Sequence, residues 1–363
     1  MNKIFRFIIA LRNRIVIFIR YQAEIKNIDK KTKLWESVVL DESQTHEIKS
    51  IWGRYLSGKD VTKWHRLYQS YTGLYQKDYF PEILYSTKLE PILSPDKYSL
   101  VLAHKYLTTC LFPGDDSYRN PNVFVANTSN VFTNSWHEVI SSEQALSCLK
   151  DIGNAVIKPT IDSSSGEGIR MINIKNGVDI KSNETIESIL AQYKTDYIVQ
   201  ERITQSVLLT ALYPNAINTF RVVTYICDGV VHVAPVALRV GRGNAEVDNI
   251  HAGGISIGVN DNCCLREIAF SEMGDRFDTH PNTGISFKGY KIQPLEQVIA
   301  CAKRLHGRIP MIKMISWDWT LDENNIPVLI ETNLTGQAVW LPQMVNGQPM
   351  FGENTQCFRN LIK

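Results

Sequence analysis

The chain has 363 residues, 44% hydrophobic and 21% charged, which is enough apolar content for one large core or two moderate ones and makes disorder an unexpected state. A formal net charge of +2 is too weak a whole-molecule field to point to nucleic acid, while anionic small molecules stay compatible with it. Seven scattered cysteines, of which only Cys263 and Cys264 are adjacent, show no zinc or redox spacing and fit a reducing compartment.

Chain order begins with MNKIFRFIIALRNRIVIFIR, where Lys3, Arg6, Arg12, Arg14 and Arg20 alternate with Ile4, Phe5, Ile8, Ile9, Leu11, Ile15, Phe18 and Ile19. Arg12 and Arg14 interrupt the unbroken apolar stretch that a secretion signal needs. No stretch approaches the roughly 20 apolar residues that cross a bilayer. Two readings stay open for this N-terminal helix, taken as residues 1–40: a basic amphipathic helix in the cytoplasmic membrane interface, or a helix whose apolar face packs on the protein.

Residues 41–112 carry apolar side chains at helical spacing, as in HEIKSIWGRYL and LVLAHKYLTTCLF, and predict a mainly helical lobe. Pro113, Gly114, Asp115 and Asp116 then mark a boundary, so that 113–350 forms the next domain and 351–363 a tail. Within that domain NVFVAN, AVIKPT, IRMINI, YIVQER, FRVVTYI and VHVAPVAL predict strands. EQALSCLKDIG predicts a helix capped by Gly153, and PLEQVIACAKRLHG another, ahead of the strands ISWDWTLD and VLIETN. The alternation predicts a mixed α/β architecture.

Four segments carry candidate chemistry. In AVIKPTIDSSSGEGIRMINI a strand ends at Lys158 and Pro159, and a loop with Ser164, Ser165, Gly166 and Gly168 leads into the next strand. Such a hairpin can turn backbone N–H groups toward phosphate oxygens while Lys158 adds a charge, although an exposed β-turn uses the same residues. The strand DYIVQERI runs out at Gln200, Glu201, Arg202 and Ile203, where backbone groups can read a base edge and Ile203 can cover its face. ISWDWTLDENNIPVLIETN places Asp318 on one strand and Glu331 and Asn333 on its partner, two apart and so facing the same way. Those hard oxygen ligands suit magnesium, with a salt-bridged sheet edge as the alternative. Finally, Arg221, Arg239 and Arg242 lie in or just after apolar strands, where each is expected to face an anion, and Asp248, Asn249, Gly253 and Gly254 form a polar loop beside them. His251 and His280 sit in polar loops, where solvated or structural histidines are common.

In their order these segments resemble the ATP-grasp superfamily, in particular its sugar-transfer-associated branch of bacterial surface-polysaccharide loci. The resemblance spans about residues 80–345 and rests on FRVVTY, ALRVGRG, VDNIHAGG, HPNTG, SWDW and LIETN. It implies two α/β subdomains clasping ATP under a glycine-rich flap. Lys158 and Lys105 would then contact phosphates, residues Gln200 to Ile203 adenine, and Asp318, Glu331 and Asn333 the Mg2+. The loop VDNIHAGG is also similar to that of glutamate-adding ligases, but Val247 stands where those carry an arginine, so Arg239 or Arg242 is expected to supply that contact. Arg221, Arg239 and Asn249 form the implied catalytic group. The implied activity is an ATP-dependent carboxylate–amine ligase working through an acyl phosphate, joining an amino acid to a uronic acid or amino sugar in the cytoplasm. A kinase of sugar or polyol hydroxyls and a catalytically silent nucleotide-binding partner are the alternatives.

Overall fold

The computed structural model describes residues 3–56, 58–161 and 166–362. The predicted N-terminal segment begins at Met1, outside the described residues. The helix α1 runs over Lys3–Lys30, and its side chains are described from Leu11 onward. It divides into two halves. Leu11, Ile15, Phe18 and Ile19 are exposed, whereas Tyr21, Ile25 and Ile28 pack into the core. Among the described side chains of α1, apolar packing on the core is therefore seen from Tyr21 onward. Helix α2 (Glu42–Trp52) opens with a reciprocal cap, in which Asp41 Oδ1 accepts the Gln44 N–H at 2.7 Å and Gln44 Oε1 accepts the Asp41 N–H at 3.2 Å. Helix α3 (Thr62–Thr72) ends at Gly73 with φ +79°, the left-handed closure that glycine adopts without strain. A helical stretch from Glu82 to Leu93 follows, with a π-helical turn at Tyr85–Leu89. The short helix α4 (Lys105–Leu111) completes this region.

The first sheet contains β1 (Val123–Thr128), β2 (Val131–Asn134), β3 (Val139–Ile140), β4 (Gly153–Pro159), β5 (Arg170–Lys175), β6 (Val178–Asp179) and β7 (Tyr197–Glu201), in the order β3-β2-β1-β7-β4-β5-β6. Helices α5 (Ser142–Leu149) and α6 (Ile186–Tyr193) share its buried cluster. Gly153 does not cap α5 as expected: Lys150 closes that helix and Gly153, at φ +66°, opens β4.

The second sheet contains β8 (Thr219–Cys227), β9 (Val230–Val233), β10 (Ala237–Val240), β11 (Ile255–Val259), β12 (Leu265–Phe270), β13 (Arg276–Phe277), β14 (Met314–Leu321) and β15 (Pro327–Asn333). Its order is β13-β12-β11-β10-β8-β14-β15, with β9 paired to β8. The architecture is mixed α/β as predicted.

Strand alternation divides this sheet into a dry face and a divided one. Phe220, Val222, Trp317 and Trp319 share a core with Val298, Ala302 and Leu305 of helix α7 (Leu295–His306). On the opposite face β8 reads Thr219, Arg221, Val223, Tyr225, Cys227. The last three are buried in the core that contains α1 to α3 and residues of α8 (Trp340–Asn346) and α9 (Thr355–Leu361). Thr219 and Arg221 open instead into a cleft.

Trp317 is fully buried directly behind this polar patch, donates its indole N–H to Thr224 Oγ1 at 2.7 Å and meets Phe112 edge-on at 5.2 Å. Trp317→Ala should lower unfolding free energy by about 3–5 kcal/mol, because cavity formation adds to the lost burial. Denaturant titration followed by far-UV circular dichroism measures it.

Candidate active site

Antiparallel pairing sets Arg221 opposite Asp318 and Asp318 opposite Glu331, so three adjacent strands place one cation and two carboxylates in a single cross-strand row. A register shift lies between Asp318, opposite Glu331, and Trp319, opposite Leu329, leaving Ile330 as an extra residue. Through that bulge both Ile330 and Glu331 reach the cleft.

Asp318 is the most heavily paired group here. Arg221 Nε donates to its Oδ1 at 2.7 Å and Arg221 Nη2 to its Oδ2 at 3.3 Å, while Arg239 Nη2 lies 3.1 Å from Oδ2. Burial works against the carboxylate, yet the two guanidinium groups outweigh it and hold Asp318 below its usual range. Arg239 sits next to this row through Thr219, its pairing partner on β8, and donates to Thr219 Oγ1 at 3.0 and 2.6 Å. Thr219 in turn donates its hydroxyl to Asp248 Oδ2, whose carboxyl burial pushes upward against the pull of Arg239. Gly254 is required beside it, since an added Cβ would lie 2.5 Å from the Asp248 carbonyl oxygen.

The first sheet supplies the opposite wall. Val156, Lys158, Gly166 and Met171 line the same cleft of about 690 Å³, as do residues Gln200 to Ile203 and Lys105. Lys105 Nζ lies 3.8 Å from Glu331 Oε1. Gly166 has φ +84°, and a Cβ there would come 3.3 Å from Val247 Cγ1, so the glycine-bearing hairpin reaches the loop of the second sheet. Arg119 pins the two sheets together. Its Nη1 and Nη2 donate to Glu201 at 2.9 and 3.1 Å, and its Nε to Asp322 Oδ2 at 2.8 Å.

The donor set fits a divalent cation once one amide is turned. Asn333 Nδ2 donates to Asp318 Oδ2 at 3.3 Å, and rotating that amide presents Oδ1 in its place. Asp318, Glu331 and Asn333 Oδ1 would then be hard ligands suited to magnesium, with phosphate oxygens and water completing the shell.

Of the residues singled out in the sequence, Lys105, Lys158, Gly166, Gln200, Glu201, Arg202, Ile203, Arg221, Arg239, Asn249, Asp318, Glu331 and Asn333 all line this one cleft. Ser164 and Ser165 lie outside the described residues. Gly168 is not in the wall; a Cβ there would meet Pro159 Cγ at 2.8 Å. Arg242 does not face an anion as expected: it donates from Nε to the Gly253 carbonyl at 2.8 Å and lies over the Phe277 ring. The anions met by Arg221 and Arg239 are the protein's own carboxylates. Asn249 Oδ1 accepts the His251 N–H at 2.8 Å, and the Glu201 carboxylate is taken up by Arg119. His280 is a buried structural residue, its Nε2 2.8 Å from the Gly241 carbonyl oxygen, while His251 Nδ1 lies 2.7 Å from Glu272 Oε2 at the rim. Sequence reasoning missed Arg119 and Thr219, because neither stands in a distinctive local pattern.

Two mixed α/β units holding a polar cleft between them, with lysines on one side and carboxylates on the other, define an ATP-grasp fold. The chain belongs to the sugar-transfer-associated ATP-grasp family, whose profile matches residues 85–358. No curated protein matches it. Similar solved structures include the ATP-grasp ligase PsnB with minimal precursor variant, Mg and ADP, at 11% identity, 75% of this chain, 62% of the other and TM-score 0.43. The D-alanine–D-alanine ligase of Coxiella burnetii is similar at 12% identity, 73% and 58% coverage and TM-score 0.40. An L-amino acid ligase of Bacillus licheniformis is similar at 11%, 69% and 44%, with TM-score 0.36. The chain spans less than half the length of the first of these matched structures, 45% of an N5-carboxyaminoimidazole ribonucleotide synthetase and 44% of the L-amino acid ligase.

Burial pushes the Lys158 ammonium down to about 8, opposed by Glu331 and assisted by Lys105. Its charge is present below that pH and lost above it. Affinity for free ATP, measured in EDTA by calorimetry, should therefore fall as pH rises through 8, by up to about tenfold per unit. Lys158→Met should bind more weakly and without that slope.

Proposed function

We propose that the protein is an ATP-dependent carboxylate–amine ligase that works through an acyl phosphate, using Mg2+. The reading rests on the cross-strand row of Arg221, Asp318 and Glu331, which shares one cleft with Lys158 and Lys105. In it, the substrate carboxylate lies near Arg221 and Arg239 and attacks the γ-phosphorus of ATP, breaking the bond to ADP and giving an acyl phosphate. An amine then forms the C–N bond as phosphate leaves. Lys158 and Lys105 hold phosphate oxygens, and residues Gln200 to Ile203 hold adenine. Bound Mg2+ would neutralise charge on the transferring phosphoryl group. Asp318 keeps both arginines aimed into the cleft while phosphate charge is added. Gly166, at the cleft beside Val247, would help to keep water from the acyl phosphate.

In this reading the substrates are an amino acid and a uronic acid or amino sugar of a bacterial surface polysaccharide, a proposal that the family's association with sugar transfer supports. A screen of such pairs for ADP release, with mass spectrometry of products, tests this. An amide product and a carboxylate-dependent hydroxamate in hydroxylamine support it, and a phosphorylated sugar without amide would replace it with a kinase. Asp318→Asn and Glu331→Gln should each reduce turnover by about 10²-fold or more, the scale of losing one charge-stabilising group.

A cytoplasmic location with peripheral membrane contact belongs to the same reading. Leu11, Ile15, Phe18 and Ile19 are exposed beside Arg12 and Arg14, which suits an anionic leaflet. Among the described residues no helix is long and apolar enough to cross a membrane. The protein should float with phosphatidylserine vesicles at low salt. Equal flotation after deletion of residues 1–20 would remove the membrane role.

A further inference from the structure

The helices covering the apolar half of the second sheet line another cavity, of about 400 Å³ and open on one side. It adjoins the active-site cleft, because His251, Gly336, Gln337, Ala338 and Trp340 line both. Its other wall carries three acids: Glu24 from α1, and Glu82 and Glu90 on either side of the π-helical turn. Such a turn pushes one residue out of the regular helical ladder, a distortion that recurs at functional sites.

Two of the cations at this cavity, Arg20 and Lys31, are already committed, and the third, Lys30, is exposed. Arg20 Nη1 pairs with Glu90 Oε2 at 2.7 Å, and Glu90 Oε1 accepts the Gln337 N–H at 2.7 Å. Lys31 pairs with Glu272 at 3.3 Å and lies 4.5 Å from the Trp340 ring centre, while His251 Nδ1 takes the other Glu272 oxygen. Glu82 Oε2 accepts the Val339 and Trp340 N–H groups at 2.9 and 2.8 Å, tying this acid to the shared wall. Neither Glu24 nor Glu82 forms an ion pair with a side-chain cation among the described residues. Ser86, buried in the same wall, has an Oγ with no hydrogen-bond partner. Two carboxyls and a hydroxyl thus line a cavity in which neither carboxyl has an ion pair among the described residues, so each is driven towards its neutral form unless something cationic arrives.

We propose that this cavity binds the primary ammonium group of the amine substrate, an amino acid or amino sugar, through Glu24, Glu82 and Ser86. The assignment rests on the ligase reading and names where its second substrate enters. An ammonium offers three N–H donors and a single charge, matching two carboxyls and a hydroxyl. A divalent cation fits less well, since its double charge would meet about twice the repulsion from Lys30 and Lys31, which line the same cavity. The volume suits one monosaccharide or amino acid unit. The charge state agrees with the geometry. Burial raises Glu24 to about 7, with Lys31 opposing and Glu90 adding, and burial followed by Glu24 raises Glu82 above its usual range. The Tyr68 hydroxyl, also in this wall, is raised by burial and stays neutral.

Calorimetry at pH 7.5 with Mg2+ and ADP present, using D-glucosamine, L-alanine and L-lysine, tests the site, with the N-acetyl form of each as control. At least one amine should bind, its N-acetyl form should not, and Glu24→Gln and Ser86→Ala should each weaken it, the former by about tenfold or more as expected for a lost charge-assisted hydrogen bond. ADP affinity should be unchanged in both. Thermal melts check folding: an acid raised in the folded state costs stability as pH climbs from its ordinary value of 4.5 to about 7, so Glu24→Gln should melt no lower than the wild type at pH 7.5. Binding of none of the three amines, equal binding to Glu24→Gln, equal binding of an N-acetyl form, or displacement of the amine by Ca2+ overturns the assignment. The two readings fail separately. Amide formation with an amine KM unaffected by Glu24→Gln removes this site alone, whereas Glu24-dependent amine binding without any amide product removes the ligase reading alone.

Discussion

A carboxylate held between two guanidinium groups organises this molecule. Asp318 is nearly inaccessible, and an isolated charge there would be driven to protonate. Arg221 and Arg239 prevent that, and Asp318 in turn is the carboxylate that pairs with both arginines, Arg239 having Asp248 at 3.5 Å as well. The three side chains come from β14, β8 and β10, so their mutual pairing also locks the register of the strands that form the cleft floor. Removing Asp318 would leave Arg221 without its carboxylate and Arg239 with Asp248 alone, a larger disturbance than losing one ligand.

The same sheet face serves two purposes because its residues change character partway along each strand. On β8, Thr219 and Arg221 give way to Val223 and Tyr225; on β14, Asp318 gives way to Met314. The apolar half draws the N-terminal helices and α8 over it, and the polar half cannot be covered in that way, so a cleft remains. Where the helical cover meets the cleft, Glu82 and Glu90 hold backbone N–H groups of the 336–340 segment. The helical region therefore helps to shape the site wall in addition to burying the sheet.

Much of the site was legible before folding was considered. Glu331 and Asn333 sit two apart on one strand, and the turn after Leu321 must return that strand to Asp318, so their convergence follows from alternation and a short hairpin. Lys158 before a Gly/Ser loop, and Gln200 to Ile203 at a strand end, are likewise local patterns. Arg242 has the same surroundings in sequence as Arg239, yet it stacks on Phe277 and leaves the cleft, because it lies just beyond the end of β10 where alternation no longer governs direction. Gly153 showed the same limit, since a glycine after a helix can end that helix or begin the next strand.

By itself the sequence determined the alternation of strands and helices, the family, and which side chains bear the charges and hard ligands, since these are encoded within a few neighbouring residues. Only the tertiary structure decided which partner each charge meets: Asp318 for Arg221 across 97 positions, Asp322 for Arg119 across 203, and the Trp340 N–H for Glu82 across 258. It alone made the acid-lined cavity from α1, the π-helical turn and the 336–340 segment. The physical reason is that backbone periodicity is a short-range property, whereas the pairing of buried charges depends on strand register and on which surfaces are left after the cores have packed.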